Sequence, residues 1–415
     1  MLLAGGAGSR LNILASQRAK PAVPFGGAYR IIDFALSNVM HAGLERVGLC
    51  TQYKPFSLTD HVKNGEPWDL VGRDRGVRVL PPHTGEADSD WYKGTADAVY
   101  QNLWFMEDHR PAKVLILSGD HIYKMDYEAM IRAHERAGAA LTLAALPVPW
   151  EETHRFGVMI ADAEGWVTGF EEKKRDASSN LASMGVYVFD YAVLLDELRS
   201  IVGTKTGFDF GKDIIPSMLG RRRLLCHRFE GYWRDVGTIK SYIEANLDCL
   251  DPSSGLDLSS WQVCTNAESV GQGDRPPVFV GSGARLGNCL VARGCRIEGE
   301  IENSVLFPGV RVAAGASVRD SVVMHDTSIG RGARIRHAVL DKQVQVGEGC
   351  VIGEGDATVV NRLSPTHLDC GSTVLGKGAR VPAGVSVGRN CIVHPGVDLE
   401  RLASRRLEDG ETAAP

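Results

Sequence analysis

Apolar positions follow two different rhythms along the chain. In the first 250 residues, short unbroken apolar runs alternate with amphipathic stretches. Val47-Gly48-Leu49-Cys50-Thr51, Val114-Leu115-Ile116-Leu117 and Leu141-Thr142-Leu143-Ala144-Ala145-Leu146 contain almost no polar alternation. Such runs suit strands covered on both faces. Between two of them, residues 127–137 place Met130, Ile131 and His134 at helical spacing. Strand–helix–strand alternation predicts an α/β, Rossmann-like domain with a mostly parallel sheet over residues 1–250. Ligands of such sheets bind beyond the carboxyl ends of the strands. A last helix is predicted over 239–250, with Thr238 as N-cap and Ile239, Tyr242, Ile243, Leu247 and Leu250 on one face.

Pro252-Ser253-Ser254-Gly255 ends that pattern, and 251–275 reads as a linker. Beyond Pro276-Pro277 the rhythm changes. Leu306, Val312, Val318, then Val323, Ile329, Ile335, then Leu340, Val346, Ile352 are spaced six, six and five, repeatedly. Leu375, Val381, Val387 and Val393 resume at six. A six-residue apolar beat predicts a left-handed parallel β-helix of hexapeptide repeats over 276–402. Each three-beat unit makes one triangular coil, and stacked coils bury a core that none could bury alone. The break over 353–371 reads as an inserted loop, and 403–415 as a flexible polar tail.

Composition narrows the function classes. The 415 residues carry 46 Lys+Arg against 51 Asp+Glu, a net charge of -5. That balance offers nothing to nucleic acid or an anionic membrane. No apolar run is long enough to span a bilayer and no basic-then-apolar leader opens the chain, so the cytoplasm is expected. Nine cysteines without a C-x-x-C pair read as reduced thiols.

The densest chemistry lies in Gly5-Gly6-Ala7-Gly8-Ser9-Arg10-Leu11 and Arg18-Ala19-Lys20-Pro21-Ala22-Val23-Pro24-Phe25, directly after Leu2-Leu3-Ala4. Glycines let backbone N–H groups approach a phosphate, and Arg10 and Lys20 add positive charge. A tight strand-to-helix turn explains the glycines equally well. No Lys-Ser/Thr follows them, which excludes a P-loop, and the G-x-G-x-x-G spacing fails. Asp120, after the run ending at Leu117, is either a turn residue or a functional carboxylate at a strand end. Asp235, ahead of the last helix, poses the same choice. Glu172-Lys173 is either a solvated pair or a binding pair.

Together these motifs resemble the sugar-phosphate nucleotidyltransferases. The run Phe25-Gly26-Gly27-Ala28-Tyr29-Arg30-Ile31-Ile32-Asp33-Phe34-Ala35-Leu36-Ser37-Asn38 looks like that of the glucose-1-phosphate adenylyltransferases. The resemblance extends over most of the chain. It implies a reaction of ATP with glucose 1-phosphate, serving glycogen or starch-type α-glucan synthesis. Asp120, in Gly-Asp-His-Ile-Tyr, and Asp235 would then hold Mg²⁺, and Arg10 and Lys20 would neutralise phosphate charge. Tyr92, Gly157, Glu172, Lys173, Ser183 and Asp209 match sugar-phosphate positions. Gly5, Gly6, Gly8, Gln52, Gly94 and Thr95 match nucleotide positions. The resemblance further implies a homotetramer and an anionic metabolite effector near Arg18 and Arg30. Arginines there also suit plain interdomain ion pairing.

Three departures stand. Lys174 replaces the family's usual proline. Gln17 stands where many bacterial members carry an activator-binding lysine, which predicts weaker activation by fructose 1,6-bisphosphate. Only four residues precede Gly5, where a strand usually takes about 5–6, so either the first strand is short or the chain begins upstream. The rival readings are a transferase for another base or sugar, a non-catalytic regulatory subunit, and an acyltransferase. The second should lack an acidic metal ligand. The third would need a base on the β-helix, for which His325, His337 and His394 are the candidates.

Overall fold

Leu2–Leu3 is a strand of two residues, yet it organises the first domain. It pairs in parallel on both sides, Leu3 with Cys50 of Arg46–Cys50 and with Ser118 of Lys113–Ser118. Three strand ends therefore leave the sheet side by side, carrying Gly5, Gln52 and Asp120 to one edge. The structure, a computed structural model, describes residues 1–6, 8–82, 91–201, 208–267, 273–401 and 404–415. Ala7 of the glycine-rich run, residues 268–272 of the expected linker and residue 403 of the expected tail lie outside the described residues.

Among the described residues the sheet has nine strands and is mixed. Gly76–Leu80, Arg46–Cys50, Leu2–Leu3 and Lys113–Ser118 are parallel. The ten-residue strand Leu181–Asp190 then runs antiparallel to Lys113–Ser118 and to Leu141–Pro147. It also meets Gly157–Ala161, which pairs with Val167–Glu172. That antiparallel side brings Glu172 and Ser183 round to the edge already holding Gly5 and Asp120. The expected helix forms as Tyr127–Ala137, with Met130 and His134 buried. Ile239–Asp248 is capped by Thr238, whose side chain accepts from Ser241 N.

The second domain is a parallel β-helix. Leu306, Val323, Leu340, Leu375 and Val393 pair in succession, each with its counterpart one coil on. Val312, Ile329, Val346 and Val381 do the same along a second face. Val318, Ile335, Ile352 and Val387 line the third. All are buried, so the six-residue beat is the side-chain column of the core.

Two expectations change. Residues 404–415 are not a loose tail. Arg406–Leu407 and Thr412–Ala413 extend the β-helix, pairing with Ser386–Val387 and Ile392–Val393, and Leu407 is buried. The linker is also anchored. Leu256 and Trp261 are buried, Trp261 meets Phe34 edge-on with centroids 6.1 Å apart, and Asn266 donates to His61 O. Burial of the Trp261 ring can hold a linker that lacks periodicity, while the last segment is held by strand pairing and the buried Leu407.

Candidate active site

A cavity of about 600 Å³ opens at the carboxyl edge of the sheet. Every residue matched above to catalysis, sugar phosphate or nucleotide lines it, whereas Arg18 and Arg30 do not.

Asp235 ends the strand Trp233–Asp235, which pairs antiparallel with His121–Tyr123, so Asp235 stands opposite His121. That register places it beside Asp120. Lys20 Nζ donates to Asp120 Oδ2 and to Asp235 Oδ1, both at 2.8 Å. The Lys20 side chain is 7% exposed and Asp235 8%. Burial alone would push these carboxyls up, but the Lys20 ammonium and the His121 ring hold Asp120 and Asp235 below the ordinary carboxylate range. Burial would likewise lower Lys20, and the two carboxylates override it and raise it. Ser118 Oγ also donates to Asp120.

Two residues beside this pair escaped the sequence reading. His121 Nδ1 lies 3.1 Å from Met184 O. A carbonyl only accepts, so Nδ1 carries a hydrogen. Nε2 then faces the carboxylates, 3.4 Å from Asp120 Oδ1 and 3.9 Å from Asp235 Oδ1. Arg155 reaches Asp235 Oδ2 at 3.6 Å and lies over the Phe156 ring. His121 sits inside a motif already quoted, whereas a lone Arg155 at the end of the short 3-10 helix Trp150–Arg155 carries no sequence signal. Asp120, His121 and Asp235 offer ligand atoms within 4.8 Å of one another. An ammonium already centred on the carboxylates means that a cation position is built into the site.

The glycine-rich turn works differently at each glycine. Gly8 has φ 66°, which glycine adopts without strain. Gly5 and Gly6 lie outside the left-handed region, and a Cβ on Gly6 would meet nothing within 4 Å. Its bareness leaves its backbone open to the cavity. Arg10 is exposed at the mouth. Gln52 Oε1 accepts from Tyr92 N at 2.7 Å and so fixes the segment before Gly94 and Thr95. The Tyr92 hydroxyl donates to Leu80 O at 2.9 Å and accepts from Asn102, so the ring rather than the hydroxyl faces the cavity.

Glu172 Oε1 lies 3.3 Å from Lys173 Nζ. Lys173, 58% exposed, is part of the cavity lining. Asp209 accepts from Thr95 Oγ1 at 3.1 Å and from Gly211 N at 2.9 Å, tying the two halves together. Ser183 Oγ is 3.3 Å from Tyr187 OH.

Arg18 and Arg30 stand elsewhere. Arg18 makes a two-pronged ion pair with Asp341 of the β-helix, at 2.9 and 2.8 Å, with both side chains buried. Arg30 donates to Ser57 O at 2.7 Å and to Ser57 Oγ, and burial lowers it to about 10. Burial and the charges of Arg30 and Arg18 bring nearby Lys342 down to about 7. Of the β-helix histidines, His325 is buried against Phe307 and His337 lies 3.9 Å from Asp320. Neither lines the cavity.

Comparison with known proteins agrees with this geometry. The family model for nucleotidyl transferases matches residues 1–251, and that for the GlmU-like C-terminal hexapeptide matches residues 281–366. A glucose-1-phosphate adenylyltransferase of Thermotoga neapolitana is 48% identical over 100% of this chain and 98% of its own. That of Thermomicrobium roseum is 46% identical over 100% and 97%. That of Halalkalibacterium halodurans is 51% identical over 77% and 83%. The chain belongs to the nucleotidyl transferase family, in its glucose-1-phosphate adenylyltransferase branch.

Proposed function

We propose that the chain transfers the adenylyl group of ATP to α-D-glucose 1-phosphate, giving ADP-glucose and pyrophosphate for α-glucan synthesis. The observation that carries this reading is the composition of one cavity. Its lining holds a cation-centred carboxylate pair, the glycine-rich turn, and Glu172 with Lys173. The shared name of the relatives points to the same reaction.

Gly5, Gly6 and Gly8 with Arg10 take the triphosphate. Gln52, Gly94 and Thr95 take the nucleoside side. Tyr92, Gly157, Glu172, Lys173, Ser183 and Asp209 take glucose 1-phosphate. An ionised carboxylate only accepts, which suits sugar hydroxyls, and an ammonium suits the sugar's phosphate. That phosphate is mostly a dianion near pH 7, since its second pKa is about 6. It attacks the α-phosphorus in line and pyrophosphate leaves, with no general base needed. The residues act by positioning and charge neutralisation. Asp120 and Asp235 would hold Mg²⁺, whose bound charge would offset that of the phosphates. Pyrophosphate release over a matrix of nucleotides and sugar phosphates tests the reading. Faster turnover with another base or sugar would replace it.

The retained carboxylate pair speaks against a purely regulatory subunit. Control and assembly extend the proposal. Arg18 is paired with Asp341, and Lys342 lies within the field of Arg18, Arg30 and Lys377 as well as Asp341, so positive charge gathers at the interface, which suits an anionic metabolite. Gln17 is exposed beside it. Changing Gln17→Lys should tighten activation by fructose 1,6-bisphosphate, and an unchanged activation curve would remove this position from effector choice. Phe279, Val280 and Leu286 on the first coils are exposed apolar residues, which supports a homotetramer. Light scattering that shows a concentration-independent monomer would exclude it.

A further inference from the structure

Gly211 stands in the turn after Asp209, and nothing in its backbone requires glycine. Its φ lies outside the left-handed region, and its N–H donates to Asp209 Oδ1 as any residue's would. What it lacks is room. A Cβ built there would stand 2.5 Å from Glu172 Oε2 and 3.1 Å from Glu172 Cδ, with Asp209 Oδ1 next at 3.4 Å. Gly157 repeats the pattern from the other side, where a Cβ would meet Glu172 Oε2 at 2.6 Å and Phe170 Cζ at 2.5 Å. Its φ is not left-handed either.

We propose that Gly211 is a positioning residue for the sugar phosphate: the bare Cα atoms of Gly211 and Gly157 form a seat for one oxygen of Glu172, and the seat aims that carboxylate at the sugar hydroxyls. This rests on the sugar-binding role proposed above for Glu172. The other oxygen faces Lys173, so the carboxylate is held at both corners. A methyl group at 211 cannot hydrogen-bond to Oε2. The carboxylate must retreat from 2.5 Å to the 3.4 Å of ordinary contact, a shift of 0.9 Å. A misplacement of about 1 Å can cost about 10²-fold in an oriented site.

Gly211 gives the cleaner test, because a Cβ at Gly157 would also strike Phe170. Gly211→Ala should raise KM for glucose 1-phosphate about tenfold or more and leave KM for ATP within about twofold, the signature of lost binding to one substrate. The decisive measurement is a cycle with Glu172→Asp, whose shorter side chain withdraws the carboxylate from the seat. Glu172→Asp alone should raise the same KM. Adding Gly211→Ala to it should then cost nothing further. If Gly211→Ala costs the same in both backgrounds, or raises both KM values alike, the glycine serves the backbone and the seat is overturned. If Gly211→Ala alone does not yield folded protein but the double variant does, the seat is supported. If neither folds, it is overturned. A wild type that makes no ADP-glucose would instead remove the proposed function, so the two failures are distinguishable.

Discussion

Lys20 bridges two carboxylates, of which Asp235 also has Arg155 beside it, and that arrangement sets what single substitutions do at the site. Asp120→Asn leaves Lys20 paired with Asp235, so the fold should hold while turnover collapses. One oriented charge contact at a developing charge is typically worth about 10²–10³ in rate, and kcat of the variant should fall by at least that much with an unchanged melting temperature. Near-normal kcat in a folded Asp120→Asn protein would take Asp120 out of the chemistry. Lys173 has the opposite profile, since it is largely exposed and pairs with Glu172. Lys173→Ala should raise KM for glucose 1-phosphate far more than for ATP, and equal rises would place the ammonium elsewhere. The residue scale is also where sequence falls short. Asp120 stands out because it follows a strand signal, and Asp235 because it precedes a helix signal. Arg155 does not, because its partner Asp235 lies 80 positions away and no periodicity links them.

Elements were legible in proportion to their periodicity. Tyr127–Ala137 and the core columns of the β-helix repeat a spacing, and the structure places them where the spacing does. Leu181–Asp190 has no such signature. It is a central strand that runs antiparallel, and only its register with Lys113–Ser118 and Leu141–Pro147 reveals it. The last coil is marked by Leu407 alone, too little to distinguish from a tail. A consequence at this scale is that the columns carry the stability of the second domain. Leu340 is fully buried between Val323 and Leu375. Leu340→Ala should cost about 2–5 kcal/mol, the range for emptying a packed core position, read as a lower denaturant midpoint of the β-helix. A shift indistinguishable from wild type would mean that the coils close over the gap.

The whole molecule is joined by the Arg18–Asp341 pair, two residues from Lys20, so the β-helix touches the segment that holds the carboxylates. Removing one partner of a buried pair strands the other, at about 3–5 kcal/mol. Asp341→Asn should therefore lower the melting temperature and raise the inhibitory or activating response to anions together. Lys342 adds a pH term. Its folded pKa, about 7, lies below the ordinary 10.5, so between those values the unfolded chain binds a proton that the folded chain does not. Stability attributable to Lys342 should rise with pH across that window and be flat below about pH 7. Lys342→Met should abolish the slope, and an identical slope in the variant would show that the ammonium stays charged when folded. The coil-to-coil register of the β-helix has a further consequence, for heredity rather than energy. Since each residue pairs with its counterpart one coil on, a single inserted residue within a coil turns every later side chain out of its column. Inserting a complete coil shifts nothing out of phase. Lengthening by duplication of whole coils, or by loops at the corners as over 353–371, is therefore the permitted edit, and this half of the gene should change length in steps while the first half drifts.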